Sequence, residues 1–507
     1  MKSPEQFRAF WKEKRIVMRY ALGIDFGGGA SKATLLSEEG KIVAEASYEY
    51  PTYYPKAGYV EQNPDDWYNA AKENIRSVIK TSGVSPADIK AVALDAATHT
   101  AVLMDEDFNV LMPSIYWTDT RSKKEVDCLK ETLGEEIKKR SLHNVDTIWT
   151  LPQLLWIKNN EPGIFSKIRK IFFAKDYVRH CLTGDYVTDY IEAEGSMLFD
   201  LNEKKWSDVL CAAAGIDKAI LPEAVNPQDV VGTVTENAAK DTGLYPGTAV
   251  ICGTTDTVME VFASGAVKKG NMTIKLATAG RICVVTDRPY PDKNLINYSH
   301  IIDGLWYPGT ATKSCAASYR WYRDTFGEDY KTLDSGAEKI APGAEGLMFH
   351  PYLNGELTPY ADPLLSASFI GVRANHTKAH FTRALLEGVS MSIADCMDAL
   401  GKIGIPHDET AVIIGGGGKS PLWRSITADM LGITLIGKKY SDSSFGSAML
   451  AGVAAGFFLS PCEAVDSCNE EVFVTEPDMK NNEIYKEQYK RYKKVHDALA
   501  PIYHGCE

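Results

Sequence analysis

A chain of 507 residues is too long for one compact core, so two large domains or three smaller ones are expected. Hydrophobic residues at 45% and charged residues at 24% leave no compositional case for disorder, and a net charge of −12 argues against the basic face that nucleic acid requires. No run of eighteen apolar residues could cross a bilayer and the opening stretch is charged throughout, so a cytosolic protein that engages no membrane is expected.

Residues 1–19 read as a short amphipathic helical extension, with Phe7, Phe10 and Trp11 at helical spacing. From Tyr20 the pattern becomes strand, small-residue turn, strand, and a second turn at "SEEGK" continues it as an antiparallel hairpin or meander. "DDWYNAAKENIRSVIKTSG" has a helical period that ends at Gly83. "IKAVALDAATHTAVLMDEDFNVL" then supplies two strands, so strands and helices alternate and an α/β sheet is expected.

"TAVICGTTDTVMEVFASG" reads as a buried strand, a turn at Gly253 and a helix starting near Asp256. After Gly270, "NMTIKLATAGRICVVTD" repeats the strand, turn, strand form of the first hairpin. A duplicated architecture follows, with domains over residues 20–265 and 266–507 around a cleft. The later half adds a helix ending near Gly404, a strand "TAVIIGGGG", and the helices "PLWRSITADMLG" and "FGSAMLAGVAAGFF".

The ten cysteines include no C-x-x-C pair, so reduced, mostly buried thiols are expected in place of a zinc site or a disulfide framework. No H-E-x-x-H run is present either, and no tightly held transition metal is expected.

Two glycine clusters compete as phosphate loops. "IIGGGGKSPLW" nearly matches G-x-x-x-x-G-K-S/T, but the first required glycine falls at Ile413. "GIDFGGGASK" has Lys32 where a dinucleotide fingerprint needs a small residue, and Lys32 reads as a solvated turn residue. Asp25, inside an apolar strand, carries more information: a carboxylate there needs a hydrogen bond, a partner or a cation. It would either cap the following turn or hold a hydrated Mg²⁺ while the glycines admit phosphate. Asp256, between a strand and a helix, would be either an N-cap or a general base that takes a proton from an attacking hydroxyl.

Ordered motifs then resemble one family, the FGGY carbohydrate kinases, over about Tyr20 to Phe458. They are "GIDFGGGASKATLL", "YVEQNPDDWYNA", "SIYWTDTRSKKE", "LPQLLWIKNNEPGIF" with Gln153 in place of the usual lysine, and "LMFHPYLNGELTPYADP". "ASFIGVRANHTKAHFTRALLEGV", ending in the acid Glu387, completes the series. The resemblance implies an α/β fold of two actin-like ATPase (ribonuclease H-like) domains flanking a deep cleft. It implies ATP and Mg²⁺, with Asp25 organising the metal and Asp256 as base.

By the same resemblance, Gly27, Gly28, Gly29 and Thr278 would hold phosphates, and Gly416, Gly417 and Ser420 adenosine. Thr98, His99, Trp117, the segment around Ile148 and Trp149, Asp256 and Thr257 would line the sugar pocket. D-xylulose is the acceptor expected first, with ribulose, glycerol or another polyol as alternatives, and a catalytically idle paralogue as the reading outside enzymes. Dimerisation is common among proteins that resemble this family. The chain departs from the familiar xylulokinase pattern at "ATHT" for Q-M-H-G, Asp256-Thr257 for D-N, and "LATAG" for L-G-T-S-G.

Overall fold

A computed structural model of the chain describes residues 18–505. Nearly all of the extension expected over 1–19, including Phe7, Phe10 and Trp11, lies outside the described residues. The first sheet contains β1 (Tyr20–Phe26), β2 (Ala30–Ser37), β3 (Ile42–Glu49), β4 (Ile89–Ala96), β5 (Val230–Thr233) and β6 (Ala249–Ile251), in the order β5-β6-β4-β1-β2-β3, with the two-residue strand Thr254–Thr255 also paired to the end of β4. The second contains β7 (Met272–Leu276), β8 (Gly280–Val284), β9 (Gly309–Thr312), β10 (Thr410–Ile414), β11 (Thr434–Lys438) and β12 (Glu471–Thr475), in the order β9-β8-β7-β10-β11-β12.

Both sheets run an antiparallel meander into two parallel strands and close on an antiparallel edge. Five strands of each therefore repeat one plan. The sixth differs in chain order: β5 precedes its neighbour β6, whereas β12 follows β11. The central strands β1 and β4 are almost wholly buried, as apolar strands covered on both faces must be.

Local chemistry sets most element ends. Helix α1 (Pro64–Ser82) begins at Asn63, whose side chain accepts the Asp65 N–H, and stops at Gly83 in the left-handed region, at the expected place. The second strand expected after β4, Ala101–Met104, leaves the main sheet and pairs with Lys170–Phe173.

Two helices join the halves. Helix α2 (Asp256–Ala263) follows the first sheet, while α3 (Lys378–Ile403) and α4 (Pro421–Leu431) belong to the second half. Helix α5 (Ser443–Ala454) follows β11 in sequence but packs on β1 and on α2. A Cβ on Gly23 would lie 2.1 Å from the Ser444 carbonyl oxygen, and one on Gly446 would lie 2.5 Å from that of Met259. One hydrophobic cluster accordingly contains Met259 and Phe262 of α2 together with Phe445, Ala448 and Met449 of α5.

The nine described cysteines are all unpaired and mostly buried, as expected. One histidine pair does stand four residues apart: His376 and His380 stack at 5.1 Å, and His380 Nδ1 accepts the Thr377 N–H in a capping box at the start of α3. Among the described residues no group of three or more side chains could hold a metal, and no helix is long and apolar enough to cross a membrane.

Candidate active site

Asp25 does not cap the turn after it. It lies in β1 beside Asp95 of β4, and Thr254 flanks Asp95 on its other side. Burial pushes both carboxyls up, Asp25 to about 8 and Asp95 well above the usual carboxylate range, and the charges of Asp256, Asp442 and Glu260 add to the effect on Asp25. The two carboxyls share a hydrogen bond, and Ser447 of α5 donates to Asp95 Oδ2 at 2.5 Å. Asp25 Oδ1 is buried with no donor of its own. Lys32 is not a solvated turn residue; it sits in β2 and pairs with Glu45 at 3.3 Å and Asp442 at 3.0 Å.

The turn Gly27–Gly29 is exposed at Gly28 and Gly29, while its carbonyls are tied from behind. Tyr50 donates to the Gly27 carbonyl at 2.5 Å and Gln62 to that of Gly28 at 3.1 Å. Gln62 in turn accepts from Trp67 Nε1, and its neighbour Glu61 accepts from Arg121, which also grips Asp119. Two motifs separated in sequence, "EQNPDDW" and "WTDTR", thus brace one phosphate-sized turn.

Asp256 opens α2 but is not its N-cap, a place taken by Thr255. The chain reaches it through Gly253, which has a φ of 70° and packs so closely on Leu94 that an added Cβ would fall 1.9 Å from the carbonyl oxygen, leaving no room for a side chain. Asp256 Oδ1 takes the Thr257 N–H at 2.6 Å, the Thr257 hydroxyl at 3.2 Å and the Thr98 hydroxyl at 3.5 Å. No hydrogen bond among the described residues falls on Oδ2. Burial raises the basicity of Asp256, opposed by Lys275, the Thr257 N–H and Arg281. Lys275 is held by Glu260 at 2.5 Å, and Arg281 donates to Thr257 Oγ1 at 3.0 Å.

His99 is held in the left-handed region, φ 61°, a strained place for a non-glycine residue. Glu192 accepts its N–H at 2.7 Å, its carbonyl accepts from Thr150 at 2.9 Å, and Nε2 meets the Tyr298 hydroxyl at 3.0 Å. Burial holds the ring neutral, with His143 and Arg281 adding to the effect. Trp149 does not line a pocket: it is 2% exposed, packed between His99 and His143 at 4.7 and 4.5 Å. Trp117 is 43% exposed and stands beside Tyr116, which approaches Gly28. No sequence motif singles out Tyr298, Arg281, Asp95 or Tyr116 as a site residue.

His143 carries a testable consequence of this packing. Burial lowers its ring to about 3 from 6.5, and neither ring nitrogen has a partner. The unfolded chain therefore binds a proton that the native state refuses as pH falls from 6.5 towards 3, and stability is lost across that window. In His143→Phe, thermal melts over this range should show a shallower fall in Tm than in the parent; identical slopes would refute it.

In the second half, Thr278 is exposed in the turn between β7 and β8, where Arg320 donates to its hydroxyl at 3.4 Å. The cluster Gly415–Lys419 lies alongside: a Cβ on Gly415 would meet the Leu276 carbonyl at 2.7 Å and the Ala277 nitrogen at 3.1 Å. Gly416 is open, but Gly417 is buried against the Trp423 ring. Ser420 caps α4 by accepting the Trp423 N–H at 3.1 Å and donates to Asp334 at 2.7 Å. Thus Thr278 and Gly416 are brought together with open faces, whereas Gly417 and Ser420 are committed to structure.

Comparison with known proteins agrees with this arrangement. Residues 20–263 match the N-terminal domain, and residues 248–455 the C-terminal domain, of the FGGY family of carbohydrate kinases. The chain is 33% identical to a xylulose kinase of Bacillus subtilis over 484 residues, 94% of this chain and 97% of that protein. It is 30% identical to a gluconokinase of the same organism, covering 86% of this chain and 88% of the relative. A crystal structure of xylulose kinase from Rhodospirillum rubrum superposes with a TM-score of 0.88 at 28% identity, covering 96% of this chain and all of that one. The fold is that of the actin-like ATPases, and the chain belongs to the FGGY family of carbohydrate kinases.

Proposed function

We propose that the chain transfers the γ-phosphoryl group of ATP to a hydroxyl of a small acyclic sugar, first of all D-xylulose to give xylulose 5-phosphate, several relatives being named xylulose kinase. The observation that carries this reading is Asp256, a half-buried carboxylate with one oxygen hydrogen-bonded three times and the other open. Oδ2 accepts the acceptor's proton as its oxygen bonds to phosphorus, the bond from phosphorus to the bridging oxygen breaks, and ADP leaves. Thr98 and Thr257 fix the carboxylate.

The exposed N–H groups of Gly28 and Gly29 and the Thr278 turn receive phosphate oxygens, and Gly416 leaves space for the nucleoside. The residues present fit Mg²⁺: Asp25 Oδ1 is an orphaned buried oxygen beside the Asp95 carboxyl, and among the described residues no cation offsets the burial of either group. Bound there with its waters, the ion would offset charge on the phosphates. The domain limits proposed are 20–265 and 266–507, with α5 of the second docked on the first.

ADP release measured with ATP and Mg²⁺ against D-xylulose, L-xylulose, D- and L-ribulose, glycerol and erythritol tests this. Turnover should be greatest with D-xylulose among these acceptors. ATP binding with no turnover on any sugar would instead favour an idle paralogue.

A further inference from the structure

Across β7 and β8 two cations stand side by side, Lys275 opposite Arg281. Lys275 is spoken for by Glu260, at 2.5 and 2.7 Å. Arg281 is half-buried, makes a single hydrogen bond, to Thr257 Oγ1, and has no carboxylate within 4.0 Å among the described residues. A guanidinium has five N–H donors in a planar fork, and a half-buried one with most of them idle is poised for a ligand.

Its position says where that ligand sits. Arg281 Nη1 lies 3.0 Å from Thr257 Oγ1, which lies 3.2 Å from Asp256 Oδ1, so the guanidinium is two hydrogen bonds from the base. His99 and Tyr298 close the same space, and the Arg281 charge acts on both rings. An acceptor with its reacting hydroxyl on Asp256 therefore extends towards the fork within a few carbon–carbon bonds.

We propose that Arg281 is a specificity determinant that binds the carboxylate of a short acyclic sugar acid, making aldonates acceptors for this kinase. The planar fork matches a carboxylate through two parallel hydrogen bonds, which a neutral ketose cannot reproduce. The step is the one already described: the hydroxyl oxygen gains phosphorus, its proton goes to Asp256 and ADP leaves, while the carboxylate stays ionised on Arg281. This rests on the kinase reading. The name gluconokinase, carried by a 30% identical relative, supplies the probe and not the argument.

The test uses the full chain, its Arg281→Met and Arg281→Lys variants, and D-gluconate, D-xylonate and D-xylulose, read by ADP release and by calorimetric binding. An aldonate should be phosphorylated by the parent, and the aldonate-to-xylulose ratio of kcat/KM should fall by about thirtyfold in Arg281→Met, as for a lost charged hydrogen bond. Arg281→Lys, which keeps the charge but not the fork, should recover part of that ratio. Absence of both binding and turnover of every aldonate with the parent would overturn the proposal, as would an equal loss on acid and ketose, the mark of mere charge balance for Asp256. Aldonate binding that depends on Arg281 without turnover on any acceptor would sink the kinase reading and leave the carboxylate site standing.

Discussion

Asp256→Ala is expected to lower kcat by about 10² to 10⁴ while leaving ATP affinity within about threefold of the parent. The separation follows from what the side chain touches. Its hydrogen bonds go to Thr257 and Thr98, and none goes to the glycine turns that face phosphate. Thr255, not Asp256, caps α2, so truncation should leave the helix in place and spare the fold. Burial raises the carboxyl while Lys275 and Arg281 restrain it, so it is a stronger base than a surface aspartate yet stays near charged neighbours that favour its ionised form. Steady-state kinetics together with nucleotide titration would decide the matter. Retention of more than about a tenth of parental kcat would remove Asp256 from the role of base.

Legibility in the sequence divides along a physical line. Hairpins, turns and helix ends are readable because their causes are local: Gly83 and Asn63 bound α1, and Gly253 makes the turn before Asp256. Asp25 and Asp256 stand out because a carboxylate in an apolar run has to be accounted for. Partnerships across the fold are not readable. Asp95 lies in β4 as one more residue of a buried strand, and only the register against Asp25 and the reach of Ser447, 352 positions away in sequence, give it meaning. Arg281 is hidden for the same reason.

Misplacements arise where family motifs are carried over without packing. Trp149 is buried behind His99, Gly417 is small because Trp423 presses on it, and Ser420 is occupied as a cap. Lys32 reads as solvated in the sequence because its partner Asp442 lies at the N-cap of a helix from the far end of the chain.

Gly23→Ala should destabilise the chain by about 3 kcal/mol or more. The new Cβ would fall 2.1 Å from the Ser444 oxygen and 2.2 Å from the Ala448 nitrogen, both backbone atoms of α5, so no side-chain rotation can relieve it. The helix must move, and two buried hydroxyl contacts move with it: Ser444 to Thr34 at 2.7 Å and Ser447 to Asp95 at 2.5 Å. Because Asp95 positions Asp25, turnover should fall along with Tm at temperatures where the chain is still folded. Gly29→Ala provides the contrast, since a Cβ there meets nothing within 4 Å and its φ is not in the left-handed region. That variant should melt within about 1 °C of the parent and, where Gly29 faces phosphate, raise the KM for ATP. Calorimetric melts of the two variants beside the parent separate the roles of the two glycines. Equal Tm values for Gly23→Ala and the parent would mean that α5 does not clamp β1 in solution, and that the link from the second half to Asp25 runs by another path.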